Sequence, residues 1–231
     1  MQLCYGVAAQ YKCHVVETLV SLSNHKCLFI AALFFLTIVS IFFNLHRILS
    51  ISRPLSGASV IIIEGWLPKY ELEQCAQIFL RGNYQQVILA AVHKVVSASG
   101  DQRISNLEKA RQILQENGVP NANIICIPAC GGEKHNTFRS ALAVREWLVL
   151  QLRSSPVKID VVSGGAHALK TWIAYSRVLR GLAEVGRISV SPGEYNSKWW
   201  FLSKKGIIYT IYDFLGSFYS VVWKIPLECR K

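Results

Sequence analysis

The chain has 231 residues, enough for one domain or for one domain and an anchor. Hydrophobic residues make up 52% and charged residues only 17%, which excludes a disordered tail and is greasier than an ordinary soluble domain. Lys and Arg total 25 against 14 Asp and Glu, so the net charge of +11 points to anionic partners at a membrane and does not by itself mean nucleic acid.

The N-terminal segment, 1–26, precedes an apolar run. From Cys27 to Leu45 the chain reads CLFIAALFFLTIVSIFFNL, with no charge and only Thr37, Ser40 and Asn44 polar. At a rise of about 1.5 Å per residue, a helix of this length matches a hydrocarbon core of about 30 Å. His25 and Lys26 precede it and His46, Arg47 and Arg53 follow, as headgroup anchors do. A transmembrane helix over 27–47 is therefore expected, making the protein a single-pass membrane protein with an N-terminal anchor in the lipid bilayer. The rival is a cleaved signal peptide, but its apolar region would be shorter and would end in small residues, whereas this run ends in FFNLHR. Positive charges on the two flanks nearly balance, so orientation stays open.

Beyond it, residues 54–231 read as alternating strands and helices. ASVIII, 58–63, is a β-branched run suited to a strand buried on both faces. After the loop EGWLP, the apolar residues Leu72, Cys75, Ala76 and Phe79 recur at helical spacing over 70–81, and Gly82 and Asn83 stop that helix. VILAAV, 87–92, is a second strand, 93–102 a Ser- and Gly-rich loop, and 103–117 an amphipathic helix closed by Gly118 and Pro120. NIICIPA is a third strand, and HNTFRSALAVREWLVLQL a long helix with Asn136 or Thr137 as its N-cap. KIDVVS, 158–163, GGAHALKTWIAYSRVLRG and RISVSP, 187–192, supply the fourth strand, fourth helix and fifth strand. The order implies a Rossmann-like three-layer α/β sandwich with a mostly parallel sheet. The last stretch, KKGIIYTIYDFLGSFYSVVWK, is aromatic and apolar but interrupted by Asp213. It reads either as a helix packed on the sheet or as an interfacial helix on a bilayer.

Seven cysteines at irregular spacing, with no CxxC, make neither a disulfide framework nor a zinc site, and the histidines lack metal-ligand spacing, so no metal is expected. GxGxxG, GxxxxGK[ST] and GxSxG are all missing, and the basic residues do not interleave with a stacking platform. Nucleic acid is not an expected partner, and the sequence names no cofactor.

In open parallel sheets, ligands bind beyond the carboxyl ends of the strands. That rule selects Glu64, Gly65 and Trp66 after the first strand. It selects Gly131, Gly132, Glu133, His135, Asn136 and Thr137 after the third, Ser163, Gly164, Gly165, Ala166 and His167 after the fourth, and Glu194 and Tyr195 after the fifth. The SGGAH turn lets backbone N–H groups approach an anion at a helix start. His167 supplies a proton shuttle there, and Lys170 a charge one turn on. The alternative is a tight turn with His167 as a cap. HNTFR repeats the logic, with Arg139 near enough to add charge, against ordinary N-capping. Glu64 is either a general base, a ligand for a hydroxyl, or the ion-pair partner of Arg139 or Lys170.

These segments also carry a family resemblance. VIIIEGWLPKYELEQCAQIFLRGNYQQVILA, GVPNANIICIPA, HNTFRSALAVREWL, VVSGGAHALKTW and EYNSKWW together resemble the SanA/ElyC/YdcF-like family of membrane-anchored α/β proteins, from about Ala58 to Trp200. The resemblance implies a Rossmann-like fold, an N-terminal tether and a role in cell-envelope or surface-polysaccharide biogenesis. It implies a site at Glu64, Gly65, Asn136, Thr137, His167 and Lys170, and more weakly Glu194. AAVHK stands where relatives often have a Gly-rich turn, and Lys170 where they commonly carry Arg.

The functional expectation is a membrane-anchored protein that binds or processes an anionic precursor, phosphorylated or lipid-linked. Glu64 and His167 would be the acid/base groups. Gly65, Trp66, Asn136, Thr137, Arg139, Ser163, Gly164, Gly165, Lys170 and Glu194 would bind the ligand. The alternative is a non-catalytic scaffold or metabolite-sensing module working with envelope proteins.

Overall fold

The structure is a computed structural model that describes residues 28–92, 95–97, 103–130, 135–151 and 157–222. The N-terminal segment and Gly131, Gly132 and Glu133 lie outside the described residues. Two compact units divide the chain, Met1–Leu45 and His46–Lys231.

The described part of the first unit is helical and belongs to α1, Leu28–Leu49, 22 residues and so about 33 Å long. Among the described residues it is the one helix long and apolar enough to cross a membrane; a signal sequence would pass the same test. Thr37 Oγ1 donates to the Leu33 carbonyl at 2.8 Å and Asn44 Nδ2 to the Ser40 carbonyl at 2.9 Å. Two of the run's polar side chains thus fold back onto the helix, as an apolar surrounding requires.

The second unit is built on a five-stranded parallel sheet. Its strands are β1 (Val60–Glu64), β2 (Gln86–Val92), β5 (Ile124–Ala129), β6 (Val157–Gly164) and β7 (Ala183–Val190), in the order β5-β2-β1-β6-β7. β1 is buried along its whole length because it lies in the middle. Ile61 and Ile63 point into a core with Leu72, Cys75, Ala76 and Phe79 of α2 (Lys69–Arg81) and Leu107, Ala110 and Leu114 of α3 (Asn106–Glu116). Val60 and Ile62 point the other way, into a core with Phe138, Ala141 and Val144 of α4 (Asn136–Gln151) and Ala174, Tyr175 and Val178 of α5 (His167–Val178). Two helices on each face give the three-layer, Rossmann-like α/β sandwich. The sheet is parallel throughout.

Several boundaries differ from the sequence reading. β3 (Val95–Ser97) and β4 (Arg103–Ser105) form a two-stranded antiparallel ribbon where a loop and the start of a helix were expected. α3 begins only at Asn106, because Ser105 caps it by accepting from the Glu108 N–H at 3.0 Å. α4 begins at Asn136, so the residue before the helix is His135, with a left-handed φ of 62°, and not Asn136 or Thr137. β7 starts four residues earlier than expected and ends at Val190. Pro128 is accommodated because β5 is an edge strand.

A last helix, α6 (Lys204–Val222), packs along α5 and not on the sheet. It approaches closely at its start, where a Cβ on Gly206 would lie 2.3 Å from the Trp200 carbonyl oxygen. At the same end of the fold as the β1 N-terminus, Asp160 is fully buried in β6. Its Oδ1 accepts from the Leu55 N–H at 2.9 Å and its Oδ2 from the Tyr84 hydroxyl at 2.7 Å. It therefore ties the segment entering β1 to the sheet. Asp160→Ala strands both donors, so we expect a stability loss of about 3 kcal/mol, read as a lower thermal midpoint. An unchanged midpoint would show that other contacts hold Leu55.

Candidate functional site

In this strand order the chain reverses direction across the sheet between β1 and β6, and their carboxyl ends open a crevice. Glu64 is the last residue of β1 and only 1% exposed. Its Oε2 accepts from Ser163 Oγ at 2.5 Å and from Thr171 Oγ1 at 3.0 Å. His167 Nε2 stands 3.9 Å from the same oxygen. The other ring nitrogen, Nδ1, is 2.6 Å from Asp213 Oδ1 on α6. Asp213 is itself buried. An ionised carboxylate can only accept there, so Nδ1 donates its proton to Asp213, and Nε2 is the nitrogen left without a hydrogen-bond partner. The Trp66 ring meets the His167 ring edge-on at 5.1 Å between centroids and limits its rotation.

Above this group lies a cleft of about 260 Å³, lined by Trp66, Pro68, Glu71, Gly164, His167, Pro192, Glu194, Tyr195, Tyr209, Tyr212 and Asp213. Glycine is required at two points of its rim. A Cβ on Gly164 would sit 2.1 Å from Glu71 Oε2, and Gly165 turns with φ +46° while facing His46 Nε2 and the Tyr195 hydroxyl. Those two groups are themselves 3.0 Å apart. Burial pushes the Glu71 carboxyl up to about 7, a Gly193 backbone N–H opposes that rise, and the nearby Glu194 adds to it. Glu194 goes the other way, because Lys205 at 2.8 Å holds its carboxyl below the usual range.

The residues singled out from sequence separate into groups. Glu64, Trp66, Ser163, Gly164, Gly165 and His167 come together at the crevice, and Glu194 and Tyr195 join from beyond β7. Gly65 packs beneath Leu107, where a Cβ would meet the Leu107 side chain at 2.7 Å. Lys170 turns away from Glu64; its Nζ lies 4.9 Å over the Tyr212 ring, and its stem crosses Gly216. Asn136, Thr137 and Arg139 start α4 and do not line the cleft. Glu64 is held by two hydroxyls, not by Lys170. Among the described residues the lining contains three carboxyls and one imidazole and no Lys or Arg, which corrects the expectation that Lys170 and Arg139 meet the ligand.

Sequence reasoning missed Asp213, taken as a break in an apolar stretch, and Glu71, which precedes the apolar face of α2. Glu71 had one signal: it begins the buried stripe that continues through Leu72, Cys75, Ala76 and Phe79. Among the described residues, no group of three or more His, Cys, Asp or Glu side chains is arranged to hold a metal. Cys75, Cys126 and Cys130 are free thiols.

No family model matches the chain, and no curated protein matches it. Among solved structures the chain is similar to the HAD domain of the effector protein Lem4 from Legionella pneumophila, in an inactive mutant. That match has 12% identity and a TM-score of 0.28, and covers 64% of this chain and 69% of the other.

Glu71 yields a pH prediction. Its carboxyl ionises near 4.5 when unfolded and near 7 when folded. Between those values the folded state holds the extra proton, so stability falls as pH rises through that window. Glu71→Gln removes this term, so the variant gains on the wild type by on the order of 2 kcal/mol between pH 4.5 and 7.5, allowing for solvent in the cleft. Chemical denaturation across that range measures it; a constant difference would place Glu71 in water.

Proposed function

We propose that the protein is a membrane-anchored α/β enzyme whose cleft takes a sugar-phosphate headgroup, lipid-linked, of the kind used in cell-envelope or surface-polysaccharide assembly. The observation that carries this reading is the Asp213–His167–Glu64 arrangement at the β1/β6 crevice, with the imidazole Nε2 buried and unpartnered, 3.9 Å from Glu64 Oε2, on a residue that lines the cleft.

Two features of the lining support the ligand class. Trp66, Tyr209 and Tyr212 offer aromatic faces to a sugar ring, and Glu71 and Glu194 offer acceptors to its hydroxyls. A phosphate fits best at the start of α5, where the helix end carries partial positive charge. The carboxyls of Glu71, Glu194 and Asp213 in the lining argue for a ligand that is more than a bare anion. The resemblance to the SanA/ElyC/YdcF-like family favours the envelope setting and the tether. The apolar run ends at Leu45, and the next residue, His46, bonds to Tyr195 in the cleft wall.

The chemistry proposed is hydrolysis of a phosphoester. His167 Nε2 takes a proton from water as its oxygen bonds to phosphorus. The bond from phosphorus to the leaving oxygen breaks, and Glu71, half-protonated near pH 7, returns a proton to that oxygen. Asp213 fixes the ring and offsets its positive charge, while Glu64, anchored by Ser163 and Thr171, faces the same nitrogen.

The test uses the full chain in detergent with a polyprenyl-phosphate-linked sugar and a water-soluble sugar phosphate as probes. His167→Ala should lower turnover by about 10²-fold or more with little change in binding, and Glu64→Gln should lower it as well. Unchanged turnover and binding in both variants would remove the cleft from consideration. Binding without turnover in the wild type would leave a binding module in place of an enzyme.

A further inference from the structure

α6 is amphipathic in the reverse sense for a helix on a water-facing surface. Its inward positions are Gly206, Thr210, Asp213, Ser217 and Ser220, all buried, at alternating spacings of four and three. Its outward positions are apolar: Ile208 is 53% exposed, Leu215 58%, Phe218 66% and Val222 64%. A helix that met water would put the second set inside and the first outside. Small and hydroxyl residues toward a neighbouring helix, with large apolar ones outward, is the arrangement helices use where lipid is the solvent.

The approach to α6 has matching chemistry. Lys198 and Lys204 are exposed, Lys205 is held by Glu194, Trp199 is half exposed and Leu202 is 76% exposed. From Asn196 to Val222 the sequence contains one acid, Asp213, and it is buried. Positive charge at one end, an amphipathic aromatic beside it and an acid-free apolar face fit the headgroup and upper acyl region of an anionic bilayer. A second copy of the chain fits less well, since two molecules each carrying +11 would bring like-charged ends together. The chain also carries α1, long and apolar enough to cross a membrane.

We propose that the outward face of α6 is a membrane-docking surface lying in the interfacial zone of an anionic bilayer. Ile208, Leu215, Phe218 and Val222 sit among the acyl chains, and Lys198 and Lys204 at the lipid phosphates. The same helix carries Tyr209, Tyr212 and Asp213 into the cleft, so one element both meets lipid and completes the cleft wall. The docking face is independent of the cleft's chemistry and stands or falls without it.

The experiment reconstitutes the full chain in vesicles of phosphatidylethanolamine and phosphatidylglycerol containing a trace of phospholipid with a photoactivatable diazirine in its acyl chain. Adducts are mapped by mass spectrometry. Labelling is expected within 207–222 as well as within the apolar run of α1, with none at Leu80 and Leu150, exposed apolar residues of α2 and α4. Replacing phosphatidylglycerol by phosphatidylcholine should lower α6 labelling and leave that of α1 unchanged. Leu215→Asp with Phe218→Asp should abolish α6 labelling alone, with the thermal midpoint kept, while Phe218→Leu retains it. His167→Ala should leave the labelling as it is, which separates this inference from the cleft reading. Labelling confined to α1 in the wild type, equal labelling at Leu80 and Leu150, or cross-links between copies through α6 would overturn the proposal.

Discussion

A carboxylate taken out of water must find partners or lose its charge, and Glu64 sets this constraint at the centre of the molecule. It ends the middle strand of the sheet, where the neighbours that reach it are fixed by strand order. β6 lies beside β1 and delivers Ser163; α5, which follows β6, delivers His167 and Thr171. His167 then needs a partner for its far nitrogen, and Asp213 provides one only because α6 lies along α5. The cleft follows from this chain of requirements, as α6 walls the crevice that the sheet leaves open.

The same chain of contacts explains why small residues recur at the site. Gly164 gives the Glu71 carboxyl room against the strand end, Gly165 makes a left-handed turn between His46 and Tyr195, and Gly206 lets α6 close on Trp200. Each is a place where a Cβ would occupy another group's space, so the glycines set distances between functional side chains.

Much of this was legible in the sequence for local reasons. Short apolar runs such as VIII and VILAAV, bounded by turn residues, read as buried strands, the 3.6-residue pattern of α2 and α3 marks their inner faces, and an acid ending a buried strand draws notice. The SGGAH turn is local chemistry too. What the sequence withheld depends on contacts across long separations. Asp213 meets His167 across 46 positions, and within its own helix it looks like an interruption. Glu71 becomes unusual only when Gly164 is set against it. Lys170 and Arg139 looked like anion ligands by spacing, yet Lys170 is drawn over Tyr212 and Arg139 starts α4 away from the cleft lining. The β3–β4 ribbon was hidden because three-residue strands are too short for a period-two pattern to register.

The central claim is that Asp213 fixes the protonation of His167 so that Nε2 is left as an acceptor beside Glu64. Long-range proton–nitrogen NMR on the full chain in micelles, with ¹⁵N-labelled histidine, reads this directly. The account predicts an imidazole protonated at Nδ1 with bare Nε2, whose signals shift when Asp213 is replaced by Asn. A ring protonated at Nε2, with signals indifferent to that replacement, would contradict it.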